Sequence, residues 1–271
     1  MPADRLPTRA AHVGCAGWSL PRDAQPRFPA EGTHLVRYAA RLPATEINSS
    51  FYRPHRPATY ARWAARVPPG FRFSVKAPRT ITHERRLVDA EPLLDAFLGE
   101  VAALGPALGC LLVQLPPSLA FAPAAADAFL AALRARHAGA VAVEPRHPSW
   151  FVPEADALLD RWHVGRVAAD PARVPAAAVP GGWPGVAYYR LHGSPRVYYS
   201  PYDGAMLDGL AAQLRAAPPG AQRWCIFDNT ASGAATVNAL DLLDLLDLPD
   251  RASARYEPGE SRPSASGDAV P

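Results

Sequence analysis

Lys76 is the only lysine in a chain whose other 27 basic residues are arginine. Asparagine occurs three times (Asn48, Asn229, Asn238) and isoleucine three times (Ile47, Ile81, Ile226). Depletion of residues with AT-rich codons reads as genome-wide base bias, so the positions where such residues survive carry information. An ammonium is needed in place of a guanidinium where a compact charge, a tunable pKa or a nucleophilic amine matters. Glu46, Glu144, Asp170 and Asp228 are carboxylates able to move protons or to pair with Arg146 and Arg190, and His192 is a candidate proton shuttle. The alternative is structural: Lys76 neutralising Glu46 or Glu144, and the carboxylates serving as ion-paired supports for the arginines.

Positioning these groups requires a scaffold. Eight short runs have strand character: 12–18, 44–52, 71–78, 110–117, 141–147, 165–170, 186–193 and 223–230. Most are continuously apolar until their last two or three residues, as expected of strands buried on both faces of a parallel sheet. Between them, seven stretches show apolar spacing near 3.6: THLVRYAARL, PATYARWAARV, DAEPLLDAFLGEVAAL, PAAADAFLAALRARH, PEADALLDRWH, DGAMLDGLAAQLRAA and GAATVNALDLLDLL. The connection 171–185 is proline-rich and lacks a proper helix pattern. The alternation predicts an α/β fold, a single closed (β/α)8 barrel of the TIM type with a short or missing sixth helix. The barrel is expected over residues 12–248, with a flexible arm at 1–11 and a disordered tail at 249–271. The first turn reads GCAGW, with neither GxGxxG nor a Walker lysine, which argues against dinucleotide or P-loop binding.

Barrel enzymes place their sites at the C-terminal strand ends. Those ends carry Trp18; Glu46, Asn48 and Tyr52; Lys76, Arg79 and His83; Gln114; Glu144, Arg146 and Trp150; Arg190, His192 and Gly193; and Asp228, Asn229 and Thr230. Lys76, Glu144, His192 and Glu46 are the candidate catalytic groups, and the rest are candidates for substrate binding. Trp150, in RHPSW, has the alternative of a loop plug. The small residues of HGSPR and DNTASG, ahead of a helix near Gly233, predict free backbone N–H groups for a phosphate, with Arg190 or Arg196 completing the grip. Ordinary helix capping by Thr230 or Ser232 is the competing reading.

GCAGWS, TEINSSFY, FSVKAPRTITH, EPRHPSW, YYRLHG and FDNTASGAATVNAL, in that order, resemble the YecE-like family, domain of unknown function 72. The resemblance covers residues 12 to about 246. It implies a TIM-type barrel with a polar pocket at the strand C-termini and no established reaction. It points to Trp18, Glu46, Asn48, Tyr52, Lys76, Arg79, His83, Glu144, Arg146, Trp150, Arg190, His192 and Asn229. Two positions depart from the family pattern, Pro145 in place of a large residue and Asp228 in place of a second asparagine.

Three function classes follow. The first is an enzyme of acid–base chemistry on a phosphorylated or otherwise anionic small molecule such as a sugar phosphate. The second is a metal-dependent phosphodiester or sugar enzyme of the endonuclease IV or xylose isomerase type, with ligands from Glu46, Glu144, Asp170, His192 and Asp228. The cations beside those carboxylates count against a divalent ion, and no cofactor is predicted. The third is a non-catalytic ligand- or nucleic-acid-binding barrel. The formal charge of +3 is spread along the chain and does not indicate nucleic acid. No window approaches a membrane span, and the widely spaced Cys15, Cys110 and Cys225 read as buried reduced thiols, so a cytoplasmic location is expected.

Overall fold

The computed structural model describes residues 11–247. The expected arm and tail lie outside the described residues, apart from Ala11, which is buried. The strands are β1 (His12–Ala16), β2 (Ala44–Ile47), β3 (Arg72–Lys76), β4 (Leu108–Gln114), β5 (Ala140–Glu144), β6 (Gly165–Arg166), β7 (Ala168–Asp170), β8 (Gly181–Gly182), β9 (Val186–Leu191) and β10 (Gln222–Phe227). The helices are α1 (His34–Ala39), α2 (Pro57–Ala64), α3 (Glu91–Val101), α4 (Pro123–Arg134), α5 (Pro153–Arg161), α6 (Gly204–Ala216) and α7 (Ala234–Asp247). Each falls within one of the seven periodic stretches or a residue of its end. Proline opens α2, α4 and α5, where its missing N–H costs nothing. Asp203 caps α6 by accepting from the Met206 N–H.

The strands run in the order β7-β9-β10-β1-β2-β3-β4-β5-β6-β8, parallel except for β8. The expected sixth strand is broken at Val167. Its first half, β6, pairs with β5, the Val167 N–H donates to the Val143 carbonyl, and its second half, β7, pairs with β9. One interrupted strand thereby joins the two ends of the sheet and closes the barrel. No α-helix follows it: a single 3₁₀ turn at Pro175–Ala178 leads into β8, which lies antiparallel on β6.

Two apolar layers hold this together. The larger lies between the strands and the helices, and a smaller one fills the lower barrel with Ala44, Cys110, Leu112, Ala142, Val186, Tyr188, Trp224 and Ile226. The Trp224 ring stacks on Tyr188 and needs Gly109 beside it, because a Cβ there would sit 2.6 Å from the indole. Gly14 is required for a different reason: a Cβ would meet the Ala44 carbonyl oxygen at 1.9 Å. All three cysteines are buried free thiols. Among the described residues no helix is long and apolar enough to cross a membrane.

Candidate functional site at the strand ends

Side chains two apart on a strand share a face, so Tyr188, Arg190 and His192 all point into the barrel. Arg190 is the hub. Its guanidinium donates to Glu46 through Nε to Oε2 (3.0 Å) and Nη2 to Oε1 (2.8 Å), to Glu144 through Nη1 to Oε2 (3.2 Å), and stands 3.0 Å from Asp228 Oδ2 through Nη2. Arg190 is 1% exposed and Glu46 and Glu144 not at all. The three carboxylates come from the ends of β2, β5 and β10, and only the closed barrel brings them to one point.

A second layer completes these carboxylates. Gln114 Nε2 donates to Glu144 Oε2 (2.8 Å), and the Tyr188 hydroxyl reaches Glu46 Oε2 (3.2 Å) and Ser74 Oγ (2.9 Å). Arg146 Nη2 lies 2.6 Å from Glu144 Oε1. His192 bridges two acids, with Nδ1 2.9 Å from Asp228 Oδ2 and Nε2 3.0 Å from Glu144 Oε1. Asp228 therefore holds the proton on Nδ1. At Nε2 a proton faces Glu144, and without it the lone pair faces Arg146 Nη2, also 3.0 Å away.

The charges follow from this geometry. Burial alone would raise Glu144, but Arg146, Arg190 and His192 hold it well below the usual carboxylate range. Asp228 is lowered in the same way: burial opposes the shift, and Arg190 and His192 overcome it. Arg190 is pushed higher still by its acids, which outweigh its burial. Lys76 is the exception. Burial first, then the charge of Arg190, bring its ammonium down to about 8 against the pull of Glu46, Glu144 and Asp228. Its side chain ends β3 at 4% exposure, with Nζ 4.1 Å from the centroid of the Phe51 ring. Among the described residues no carboxylate lies within ion-pairing distance of Nζ.

Beyond β3 a five-residue π-helical turn, Thr80–Glu84, carries His83, and such turns recur at functional sites. His83 packs edge-on against Phe51 (4.9 Å), its Nδ1 is 2.8 Å from Thr82 Oγ1, and burial followed by the charges of Lys76, Arg79 and Arg146 lowers its pKa. Arg79 pairs with Glu84 at the surface (3.1 Å). A cleft of about 340 Å³ at the ends of β1 and β2 is lined by Trp18, Glu46, Asn48 and their neighbours. The Asn48 Oδ1 is buried without a hydrogen-bond partner, as is the Arg146 Nε. A wider hollow of about 560 Å³ lies between α4 and α5, lined by none of the candidate site residues.

Several expectations are corrected. Arg190 is no anion clamp, since all three of its nitrogens are held by carboxylates. Glu46 and Glu144, named as candidate catalytic groups, are both fully buried and engaged by donors, Glu46 by Arg190 and Tyr188 and Glu144 by Gln114, Arg190, Arg146 and His192. The phosphate grip at the ends of β9 and β10 does not form: the Gly193 N–H donates to the Tyr202 hydroxyl, and those of Ala231, Gly233 and Ala235 to backbone carbonyls. Trp150 is 2% exposed and donates its indole N–H to the Leu119 carbonyl, so it plugs the loop rather than presenting a stacking face. Asn229 ties the Ser200 carbonyl to Asn238 through Nδ2. Tyr52, at 69% exposure, and the exposed Thr230 lie on the rim. Trp18 is half-buried against Trp63 in the cleft wall.

Tyr188 and Ser74, which support Glu46, are not among the residues that the strand-end pattern singles out. Their spacing of two from Arg190 and Lys76 was the available signal. The carboxylates do not form the proposed metal centre, because Arg190 fills the space among Glu46, Glu144 and Asp228, and Arg146 that between Glu144 and His192. Among the described residues no three His, Cys, Asp or Glu side chains are grouped so as to hold a metal ion.

The fold is a TIM-type α/β barrel with a charge-compensated polar cluster at the carboxyl ends of its strands, the end at which sites sit in this architecture. The chain belongs to the family described as protein of unknown function DUF72, which matches residues 12–262. It is 32% identical over 174 residues to the UPF0759 protein YecE of Escherichia coli K12, covering 61% of either chain. It is 28% identical over 112 residues to the UPF0759 protein YunF of Bacillus subtilis, covering 39% of this chain and 40% of that one. The chain thus spans about three fifths or less of these relatives' length. A DUF72 family protein from Thermotoga maritima has the same fold, with a TM-score of 0.72 at 23% identity over 88% of this chain and 99% of that one. A second, from Enterococcus faecalis, gives 0.73 at 22% identity over 88% and 96%.

Proposed function

We propose that this DUF72 barrel is an enzyme that binds a small anionic molecule at its strand-end mouth and moves protons on it. Lys76, Arg79 and Arg146 supply the positive charge, and His83 stands among them as a neutral imidazole. The observation that carries the reading is Lys76 itself: an ammonium 4% exposed, lacking a carboxylate partner among the described residues, beside a mouth containing a second unpartnered donor, Arg146 Nε. Stability alone does not favour a buried charge held this way. A ligand anion would satisfy both donors, and the unpartnered Asn48 Oδ1 offers an acceptor for a ligand hydroxyl. Glu46, Glu144 and Arg190 then serve as the rigid base on which the mouth is built. His192, held at Nδ1 by Asp228 and at Nε2 by Glu144, belongs to the same base.

Thermal-shift and calorimetric titrations with inorganic phosphate, ribose 5-phosphate and pyruvate test this, on wild type, Lys76→Arg and Lys76→Met. Binding at a hundred times Kd adds about 2.7 kcal/mol to the stability of the wild type, and Lys76→Met abolishes the shift. An anion that stabilises wild type and Lys76→Met equally removes Lys76 from the site and overturns the reading. Steeply salt-dependent binding of single-stranded DNA, with no response to the three anions, replaces it with the nucleic-acid reading.

A further inference from the structure

A site that needed only positive charge would be served by the guanidinium that this chain uses at its other 27 basic positions. Arginine is the better fork for a carboxylate or a phosphate. What arginine cannot do is add to a carbonyl, and the single amine side chain of the protein stands at the end of β3, over the Phe51 ring. The surroundings suit a nucleophile. Among the described residues no carboxylate is ion-paired with Lys76, Glu46, Glu144 and Asp228 acting on it only from a distance, and its Nζ lies 4.1 Å from the Phe51 ring centroid. The His83 ring packs on the same phenyl group, 4.9 Å between centroids. With Nδ1 engaged by Thr82 Oγ1, the other nitrogen, Nε2, has no hydrogen-bond partner among the described residues.

We infer that Lys76 is a nucleophilic amine that forms an imine with an aldehyde or ketone bearing a carboxylate or phosphate, and that His83 carries the proton. The inference rests on the anion-binding mouth proposed above and names its substrate class.

The step balances without an outside reagent. The ammonium of Lys76 gives a proton to His83, and the amine lone pair forms a C–N bond as the carbonyl π bond moves onto oxygen. One of the two protons on the attacking nitrogen moves to that oxygen to give the neutral carbinolamine, and His83 returns its proton to the hydroxyl, which leaves as water as the nitrogen lone pair forms the C=N bond. The products are the protonated imine and one water, with no net change in protons. The groups facing the amine are Arg190 from β9, Glu46 from β2, Glu144 from β5 and Asp228 beyond β10. Arg79 and Arg146, with Lys76 itself, are the charges felt by His83. With the amine at about 8, roughly a tenth is neutral at pH 7, and His83, lowered by burial and by its cationic neighbours, is available to accept.

The chain makes the experiment unusually clean, since Lys76 is its only amine side chain and the α-amino terminus is the only competitor. The full chain is incubated with pyruvate, dihydroxyacetone phosphate or neutral dihydroxyacetone, reduced with sodium borohydride, and read by intact mass and peptide mapping. One adduct is expected, on Lys76, forming about tenfold or more faster than on the terminus. Either or both anionic probes outpace dihydroxyacetone, and the faster one identifies the anionic group preferred. Inorganic phosphate slows the trapping. His83→Asn lowers the rate while circular dichroism shows an unchanged fold, and Lys76→Arg gives no adduct at this position while still binding anions by calorimetry. Labelling of Lys76 no faster than the terminus, or dihydroxyacetone matching both anions, overturns the inference. If the anions bind but are not trapped, the imine fails and the anion site stands; if they do not bind, both fall.

Discussion

Arg190 and Glu46 meet through two parallel hydrogen bonds, Nε to Oε2 at 3.0 Å and Nη2 to Oε1 at 2.8 Å, with neither side chain more than 1% exposed. Residues 144 apart in sequence are joined here by a paired contact. The fork is possible only because β9 and β2 present their ends to the same interior, two strands apart across β10 and β1. The remaining nitrogen of Arg190 reaches Glu144, so one guanidinium pins opposite walls of the barrel.

Removing that guanidinium leaves buried carboxylates without their counter-charge. Arg190→Met is expected to destabilise the fold by about 3–5 kcal/mol, measured by urea unfolding at pH 7. Arg190→Lys is expected to recover little, because an ammonium cannot make the paired contacts with Glu46. A loss below about 1 kcal/mol in Arg190→Met would mean that water or Lys76 replaces Arg190, and the hub assignment would be wrong.

Acid should act on the same cluster. Glu144 and Asp228 are held below their ordinary values of 4.5 and 3.8. A carboxylate lowered by folding contributes stability that is complete above the unfolded value and lost as pH falls through the folded one. Wild-type Tm is therefore expected to hold from pH 7 to about 5 and then to fall steeply. Glu144→Gln starts lower at pH 7, with Arg146 and Arg190 each short of a partner, and has a flatter acid limb. Parallel acid limbs in the two proteins would show that Glu144 titrates normally.

Much of this was legible beforehand, for identifiable reasons. Doubly buried strands leave a continuous apolar signal, and their polar last residues mark the mouth, so Glu46, Lys76, Glu144, Arg190, His192 and Asp228 could be gathered from one dimension. What could not be read was which donor each acceptor takes. Gly193 and Gly233 look like a phosphate loop in sequence, yet the Tyr202 hydroxyl and the Thr230 carbonyl occupy their N–H groups. Trp150 looks like a stacking platform until its indole is found on the Leu119 carbonyl. Hydrogen-bond partners 31 residues away leave no trace in local composition.

Lys76 carries the opposite sign of linkage from the acids. Its folded pKa is lowered from 10.5 to about 8, so the folded state is penalised below about 8 and gains stability as pH climbs from there towards 10.5. Lys76→Met is accordingly expected to raise stability at pH 7 by about 3 kcal/mol while abolishing anion binding. The gain over wild type shrinks as pH approaches 10, and thermal unfolding at pH 7 and 9.5 measures it. A less stable Lys76→Met at pH 7 would make the lysine a structural ion-pair partner, and the case for its role at the site would be lost.

Asp228 stands 2.9 Å from His192 Nδ1 and 3.0 Å from Arg190 Nη2, at a position where the family resemblance leads one to expect asparagine. Its amide oxygen can still accept from His192, so Asp228→Asn is expected to fold with a loss of about 1 kcal/mol. The lost charge acts at a distance. Asp228 is one of three carboxylates that raise the Lys76 pKa against burial and Arg190. Without it the ammonium has less to stabilise it, and the amine is neutral at lower pH. Because the protein has a single lysine, the pH midpoint of Lys76 acetylation by acetic anhydride reports this directly by mass. The midpoint in Asp228→Asn should fall below that of wild type, and reductive trapping of pyruvate at pH 7 should quicken with it. A midpoint that stays put or rises would place Asp228 outside the electrostatic reach of Lys76 and confine its influence to His192 and Arg190.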